Sequence, residues 1–337
     1  MYKEIYLMLT ELCPNRCEYC YIKNRSNPHS IPMNLIDEKI KLHNPDRVIF
    51  FGGEPLANFS LFKGVVKKYH GQFKMQIVTS TMANFKEFIE FNEEYPMSEI
   101  QLSWDGFNKN RIDSNGMDTS HKTWDNIWYA IGKDLKFDIK CVISNDNVEQ
   151  MVELHDIFKG MSRYGVSGQF VIAHRDLYTE SFYKGLKENL IKTFDLNKMY
   201  MDHLNKIIAY MNQDDGYSSC DGGKYIVIDP YGRETCCTAL SQEKDIEIGS
   251  DEIQKKCLDP SCIGCKYSYL CDGGCRYERY LEYGKDWKYH KLESTCMMME
   301  IYDDTIRTWL SSLDKYGLER LMHIINRYKS YMRGYYS

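Results

Sequence analysis

A chain of 337 residues, 43% of them apolar, can build one large domain with a smaller one, or two of moderate size. Its 43 basic and 48 acidic residues leave a net charge of −5, too mild to imply a nucleic-acid partner. No apolar run is long enough to span a bilayer, and Met1-Tyr2-Lys3-Glu4-Ile5 lacks the form of a secretory signal, so a cytoplasmic protein with no membrane partner is expected.

Six short runs rich in Ile, Val and Phe read as buried strands: Glu4–Leu9, Arg47–Phe51, Lys74–Thr79, Glu99–Ser103, Phe137–Ile143 and Gly168–Ile172. Helical stretches separate them: Asn34–His43, Asn58–His70, Ala83–Glu94, Thr119–Lys133 and Val148–Arg163, with Asn34 and Asn58 as expected N-caps. Strand–helix alternation at this spacing means a parallel sheet, and six units are fewer than a closed eight-stranded barrel needs. The expected fold is α/β, an open, partial (β/α)6 barrel of the TIM type. Residues 178–215 read as a helical bridge, with Phe182, Leu186, Leu190 and Phe194 every fourth residue. Tyr225–Asp229 reads as a strand and Pro230-Tyr231-Gly232 as a hairpin turn. The tail after Cys296 is helical, with a break expected at Gly317 and a core stripe of Leu318, Leu321, Ile325 and Tyr328.

Thirteen cysteines without a secretory signal point to metal ligands or catalytic thiols rather than disulfides. Three lie between residues 13 and 20 and nine between 220 and 296, which suggests two metal-binding regions. Cys141 alone stands between them, in an apolar strand, and reads as a small core residue. Cys13-Pro-Asn-Arg-Cys17-Glu-Tyr-Cys20 follows the first strand directly, at the end of a barrel sheet where active sites are built. Three thiolates hold three irons of a cubane and leave the fourth open to a non-protein ligand. Structural zinc takes four ligands, and no fourth Cys or His is close in sequence. A thioredoxin-like pair Cys17–Cys20 would leave Cys13 unexplained.

The Cys-x3-Cys-x2-Cys spacing, with Tyr19 before the last Cys, resembles the signature of radical S-adenosylmethionine enzymes. The resemblance implies a [4Fe–4S] cluster whose open iron is chelated by the amino and carboxylate groups of S-adenosylmethionine, with Tyr19 against the adenine. Reductive cleavage then yields a 5′-deoxyadenosyl radical that takes hydrogen from an unactivated C–H bond. Gly52-Gly53-Glu54-Pro55, after the second strand, is similar to the family's GGEP segment, which binds the methionyl amino group. Ser103-Trp104-Asp105-Gly106 is similar to a Ser-x-Asp-Gly segment whose Ser helps hold the cofactor, and Arg111 downstream would meet the carboxylate. Where many relatives have Thr-Asn-Gly, this chain has Thr79-Ser80-Thr81. The likeness covers roughly residues 3–175.

The second region, Cys220, Gly232-x4-Cys237, Cys262-x2-Cys265-x5-Cys271-x3-Cys275 and Cys296, resembles the SPASM extension of that family. The extension implies two auxiliary [4Fe–4S] clusters: a distal one on Cys262, Cys265, Cys271 and Cys296, and a proximal one on Cys220, Cys237 and Cys275. Cys236, Cys257 or an open site would complete the proximal cluster. Tyr267, Tyr269 and Tyr277, among these ligands, read as packing. The expected division is residues 1–178 as barrel, 179–216 as bridge, 217–300 as the auxiliary-cluster domain and 301–337 as terminal helices.

Most relatives with this extension modify peptides, so the expected activity is radical maturation of a ribosomally made peptide, installing a thioether, C–C or ether crosslink. The expected partners are that peptide, an electron donor such as flavodoxin or ferredoxin, and a separate leader-peptide-binding protein, unless the substrate is gripped otherwise. The alternative is an anaerobic sulfatase-maturating enzyme, in which an Asp follows the proximal Cys; here Thr238 follows Cys237. A non-catalytic electron-transfer protein is the alternative of another class, and it would not need the Gly52–Pro55 segment.

Overall fold

The computed structural model describes residues 3–22, 27–173, 178–213, 225–243, 257–271 and 273–336. The chain forms two compact units: Met1–Asn147 with Met161–Asp176 and Cys220–Lys255, and Val148–Gly160 with Leu177–Ser219 and Lys256–Ser337.

In the first unit all six expected strands form: β1 (Glu4–Thr10), β2 (Arg47–Gly52), β3 (Lys74–Thr79), β4 (Glu99–Ser103), β5 (Asp138–Ile143) and β6 (Ser167–Ile172). Each pairs in parallel with the next, from β1 to β6. The alternating helices of this unit are α1 (Met33–His43), α2 (Phe59–Tyr69), α3 (Phe85–Glu94) and α4 (Ser120–Gly132); α5 (Met151–Met161) lies between β5 and β6 in sequence and falls almost wholly in the second unit. β2 is buried along almost its whole length, as a central parallel strand should be, whereas β3, β4 and β5 alternate between buried and half-buried positions. Phe62 of α2 packs edge-on against Phe50 of β2, with ring centroids 5.3 Å apart.

Asn58 caps α2 as expected, accepting from the Leu61 N–H at 3.3 Å. Asn34 does not cap α1. The helix starts one residue earlier, at Met33, with Pro32 at the cap. Proline's fixed φ suits a helix entrance, and its carbonyl accepts from Leu35 and Ile36.

The segment after residue 224 contributes more than a hairpin. β7 (Ile226–Ile228) runs parallel to β1 on the edge opposite β2, and β8 (Glu234–Thr235) turns back antiparallel. The sheet therefore has eight strands, in the order β6-β5-β4-β3-β2-β1-β7-β8. β6 and β8 lie at its two edges, so the sheet is open. The fully buried Asp229 holds the turn, accepting from the Tyr231 and Arg233 N–H groups and from Arg233 Nε at 2.6 Å.

The second unit is largely helical. The expected single bridge is two helices, α6 (Glu180–Leu190) and α7 (Met201–Asn212). Phe182, Leu186 and Leu190 form the buried face of α6, while Phe194 lies beyond it and stacks on His203 at 4.2 Å. Two further helices, Glu293–Ser312 and Lys315–Tyr336, form the tail. The break falls at Leu313–Asp314, not at Gly317. Asp314 explains the difference, because its carboxylate accepts from the Gly317 N–H at 2.7 Å and caps the second helix. Leu321 and Ile325 are buried, but Leu318 is 43% exposed. The expected stripe is thus narrower than its spacing implies.

Candidate active site

The first cysteine loop, the β2–α2 loop and the β4–α4 loop converge at the C-terminal end of the sheet. Backbone approach holds the first two together. The Gly53 N–H donates to Thr10 O at 2.7 Å and the Glu54 N–H to Leu12 O at 2.8 Å. A Cβ on Gly53 would lie 2.4 Å from Leu12 O and 2.5 Å from Glu11 O. At Gly52, where φ is +138°, it would lie 2.6 Å from Thr10 O. The glycines are therefore required by the strand end that leads into Cys13.

Glu54 has no exposed surface. One carboxylate oxygen accepts from the Leu56 N–H at 3.1 Å and Thr79 Oγ1 at 2.7 Å. The other accepts from the Ser80 N–H at 2.7 Å and from the Ser80 hydroxyl. Burial raises the Glu54 pKa, and these four donors work against that rise. The carboxylate thus ties the ends of β2 and β3 together. Thr79 and Ser80 are the residues that sequence reasoning missed here; their signal was hydroxyls at the end of β3, where relatives carry Thr-Asn-Gly. Thr81 follows at φ +65°, a strained position for a β-branched residue. Its N–H donates to Thr79 Oγ1 at 3.0 Å, and its carbonyl accepts from Asn126 at 2.9 Å. Thr81→Gly should relieve that strain and stabilise the protein by about 1 kcal/mol, read as a higher denaturant midpoint at unchanged slope.

The β4–α4 loop grips the cysteine loop from the other side. Arg16 N–H donates to Ile112 O at 2.6 Å, and Arg16 Nη1 donates to Cys13 O at 2.7 Å. Asp105, 1% exposed, is the hub. It accepts from the Tyr19 hydroxyl, from Arg111 Nε at 2.7 Å and from the Val142 N–H at 2.8 Å. The guanidinium carbon lies 5.8 Å from the Tyr19 ring centroid. Burial works against the Arg111 cation, but the Asp105 carboxylate outweighs it and holds the pKa well above the usual range. Burial also raises the Tyr19 pKa, with Asp105 adding to it. Arg111 is therefore fixed by a protein carboxylate, and Asp105 sets the pose of both Tyr19 and Arg111.

Cys20 packs on the sheet face that carries Met8, Phe51, Val78 and Val227. In register, Val78 pairs with Gln101 and Ser103 with Lys140, so Ser103 and Lys140 share this face. Lys140, which the sequence did not single out, carries no ion pair among the described residues, and burial lowers its pKa. Its amine lies one strand from Ser103. On the opposite side of β5, Cys141 is fully buried, as expected of a core residue.

The twelve described cysteines are all free thiols. Burial pushes Cys13 up to about 12, with Glu54, Cys17 and Cys20 adding to the rise by charge. Cys17 and Cys20 thus lie close enough to Cys13 to act on it by charge. In the second unit burial raises the Cys262 pKa, with the neighbouring Cys257 and Cys271 adding to the rise, and burial raises that of Cys296, with Cys265 among the charges that add to it. The Cys257 Sγ lies 3.3 Å from His290 O and 3.8 Å from Lys288 O, within hydrogen-bond reach of both. Cys237 belongs to the first unit and Cys275 to the second, and Cys220 lies outside the described residues.

Residues 7–158 match the family described as the radical SAM superfamily. The chain is 26% identical over 324 residues to the radical SAM cyclopropyl synthase TigE of Paramaledivibacter caminithermalis, covering 81% of this chain and 67% of that protein. A likeness of 27% over 162 residues to the uncharacterized protein MJ0907 of Methanocaldococcus jannaschii covers 45% of this chain and 56% of that one. Among solved structures, anSMEcpe with bound AdoMet superposes with a TM-score of 0.71 at 18% identity, covering 95% of this chain and 98% of that one. Streptococcus suis SuiB bound to its precursor peptide SuiA gives 0.63 at 16% identity, covering 86% and 75%. These last two establish the fold, an open α/β barrel with a helical C-terminal part.

Residues 7–158, somewhat under half of the chain, carry a radical SAM domain, and the chain is an enzyme. Its cofactors are S-adenosylmethionine and iron–sulfur chemistry held by its cysteines. No helix among the described residues is long and apolar enough to cross a membrane.

Proposed function

We propose that this enzyme matures a ribosomally made peptide by radical abstraction of hydrogen and installs an intramolecular crosslink. Cys13, Cys17 and Cys20 hold the cluster that binds S-adenosylmethionine. Backbone carbonyls of the Gly52–Pro55 segment take the methionyl ammonium, Tyr19 lies against the adenine, and Ser103 and Arg111 complete the cradle. When bound, the cluster and S-adenosylmethionine supply one-electron chemistry strong enough to break an unactivated C–H bond. The chain's own part is to orient the cofactor through the Asp105 hub and to hold Cys13 half-buried.

The convergence of the Cys13–Cys20 loop with Glu54 and Asp105 carries the radical reading. The peptide reading rests on two relatives. TigE is named a cyclopropyl synthase, which makes C–C bonds, and SuiB has been solved with its precursor peptide. The cysteine spacing from Cys220 to Cys296 supports two auxiliary clusters in residues 217–300, with the distal one on Cys262, Cys265, Cys271 and Cys296. An auxiliary cluster is a suitable acceptor for the electron that crosslinking releases.

Reconstituted anaerobically and reduced, the protein should form 5′-deoxyadenosine, and Cys13→Ala should abolish it. Co-expressed with a small peptide encoded beside its gene, it should yield a product lighter by two hydrogens. Absence of 5′-deoxyadenosine from cluster-replete protein sinks the radical reading. Formylglycine in a Cys-containing sulfatase peptide, with the small peptide untouched, would replace crosslinking by sulfatase maturation.

A further inference from the structure

Arg279 lies at the heart of the second unit with no exposed surface. Its Nη1 donates to Trp287 O and His290 O, both at 3.4 Å, and its guanidinium carbon lies 5.1 Å from the Trp287 ring centroid. Nε and Nη2 have no hydrogen-bond partner, and no carboxylate pairs with the cation among the described residues. A buried charge in that state costs several kcal/mol, so the fold holds it only if an anion offsets it.

The Cys257 thiol is a neighbour of Arg279. His290 O, which accepts from Arg279, also accepts from the Cys257 thiol at 3.3 Å. A Cβ on Gly273 would lie 2.7 Å from Cys257 Sγ and 3.4 Å from Arg279 Nη1, so both groups flank that glycine. The Gly273 N–H donates to Cys271 Sγ at 3.2 Å. Arg279, Gly273, Cys257 and Cys271 are thus contiguous. Gly273, at φ +92°, keeps the space between guanidinium and thiols clear of a side chain.

We propose that Arg279 is the counter-cation of the distal cysteine centre and a positioning residue that raises its reduction potential, an inference that rests on the auxiliary-cluster reading above. A [4Fe–4S] cluster on four thiolates carries net negative charge and gains one more on reduction. A fixed buried cation beside it therefore favours the reduced form and eases the transfer of an electron to that centre. No bond changes at Arg279, and one electron enters the cluster.

Redox titration followed by electron paramagnetic resonance tests this on the reconstituted protein. In Arg279→Met the reduced-to-oxidised ratio of one auxiliary centre should fall about tenfold at the wild-type midpoint, a shift of about 59 mV. Arg279→Lys, which keeps the charge, should stay near wild type. A midpoint unmoved in Arg279→Met at full iron content overturns the inference. Thermal unfolding gives an independent readout. In the iron-free protein Arg279→Met should be as stable as wild type or more so, because an uncompensated charge is gone, and in the loaded protein it should be less stable. Equal destabilisation in both states would make Arg279 only a clamp on two carbonyls and would also overturn the inference. The reading beneath is checked separately by iron counting in Cys262→Ala and Cys271→Ala. Unchanged iron there would mean that no cluster occupies the distal site.

Discussion

Gly53→Ala is expected to cut S-adenosylmethionine cleavage by at least about a hundredfold and to lower iron incorporation at the first cluster. The added Cβ meets Leu12 O at 2.4 Å and Glu11 O at 2.5 Å. Both are backbone atoms at the end of β1, so no flexible side chain can give way, and overpacking of this kind costs roughly 1–3 kcal/mol. The strain falls on the residues just before Cys13. A shift of the order of 1 Å there misplaces the thiol and, through the Glu54 N–H bond to Leu12 O, the β2–α2 loop as well. Iron and sulfide content, with 5′-deoxyadenosine yield, measures the outcome. An alanine variant that loads and turns over like wild type would show that the close approach is incidental.

The largest effect on stability is expected at Asp105. Asp105→Asn leaves Arg111 buried without an anion, and breaking a buried pair in this way costs about 3–5 kcal/mol. The same change frees Tyr19, so activity should fall beyond what unfolding explains. Adding Arg111→Met should recover part of the stability, because the stranded cation is removed, but not the activity. A double-mutant cycle by urea unfolding measures the coupling. Additivity of the two losses would mean that the pair makes no net contribution.

Much of this was legible from short-range pattern. Strands rich in Ile, Val and Phe between amphipathic helices announce a parallel sheet, and all six expected strands formed close to their expected bounds. The spacing of Cys13, Cys17 and Cys20 is likewise a local signal. What escaped was long-range. Tyr19 and Asp105 are 86 residues apart, and nothing near Asp105 marks it as a hub rather than a turn residue. Thr79 and Ser80 hold a carboxylate 25 and 26 residues away. Lys140 becomes chemically distinct only through register, when β5 pairs with β4 and brings it beside Ser103. The helix break at Asp314 was missed for a different reason. Glycine is the stronger breaker by propensity, but a capping carboxylate decided where the new helix began.

The pairing of β7 with β1 bears on how the protein is made. Ile5 and Ile226 are partners, so β1 waits for 221 further residues before its outer edge is covered. At ordinary synthesis rates that is roughly 10–45 s. Throughout this interval the nascent barrel presents a naked strand edge directly before its cysteine loop. The ribosome must release most of the chain before the sheet is complete, and a fragment cut after residue 178 would keep that edge bare and self-associate through it.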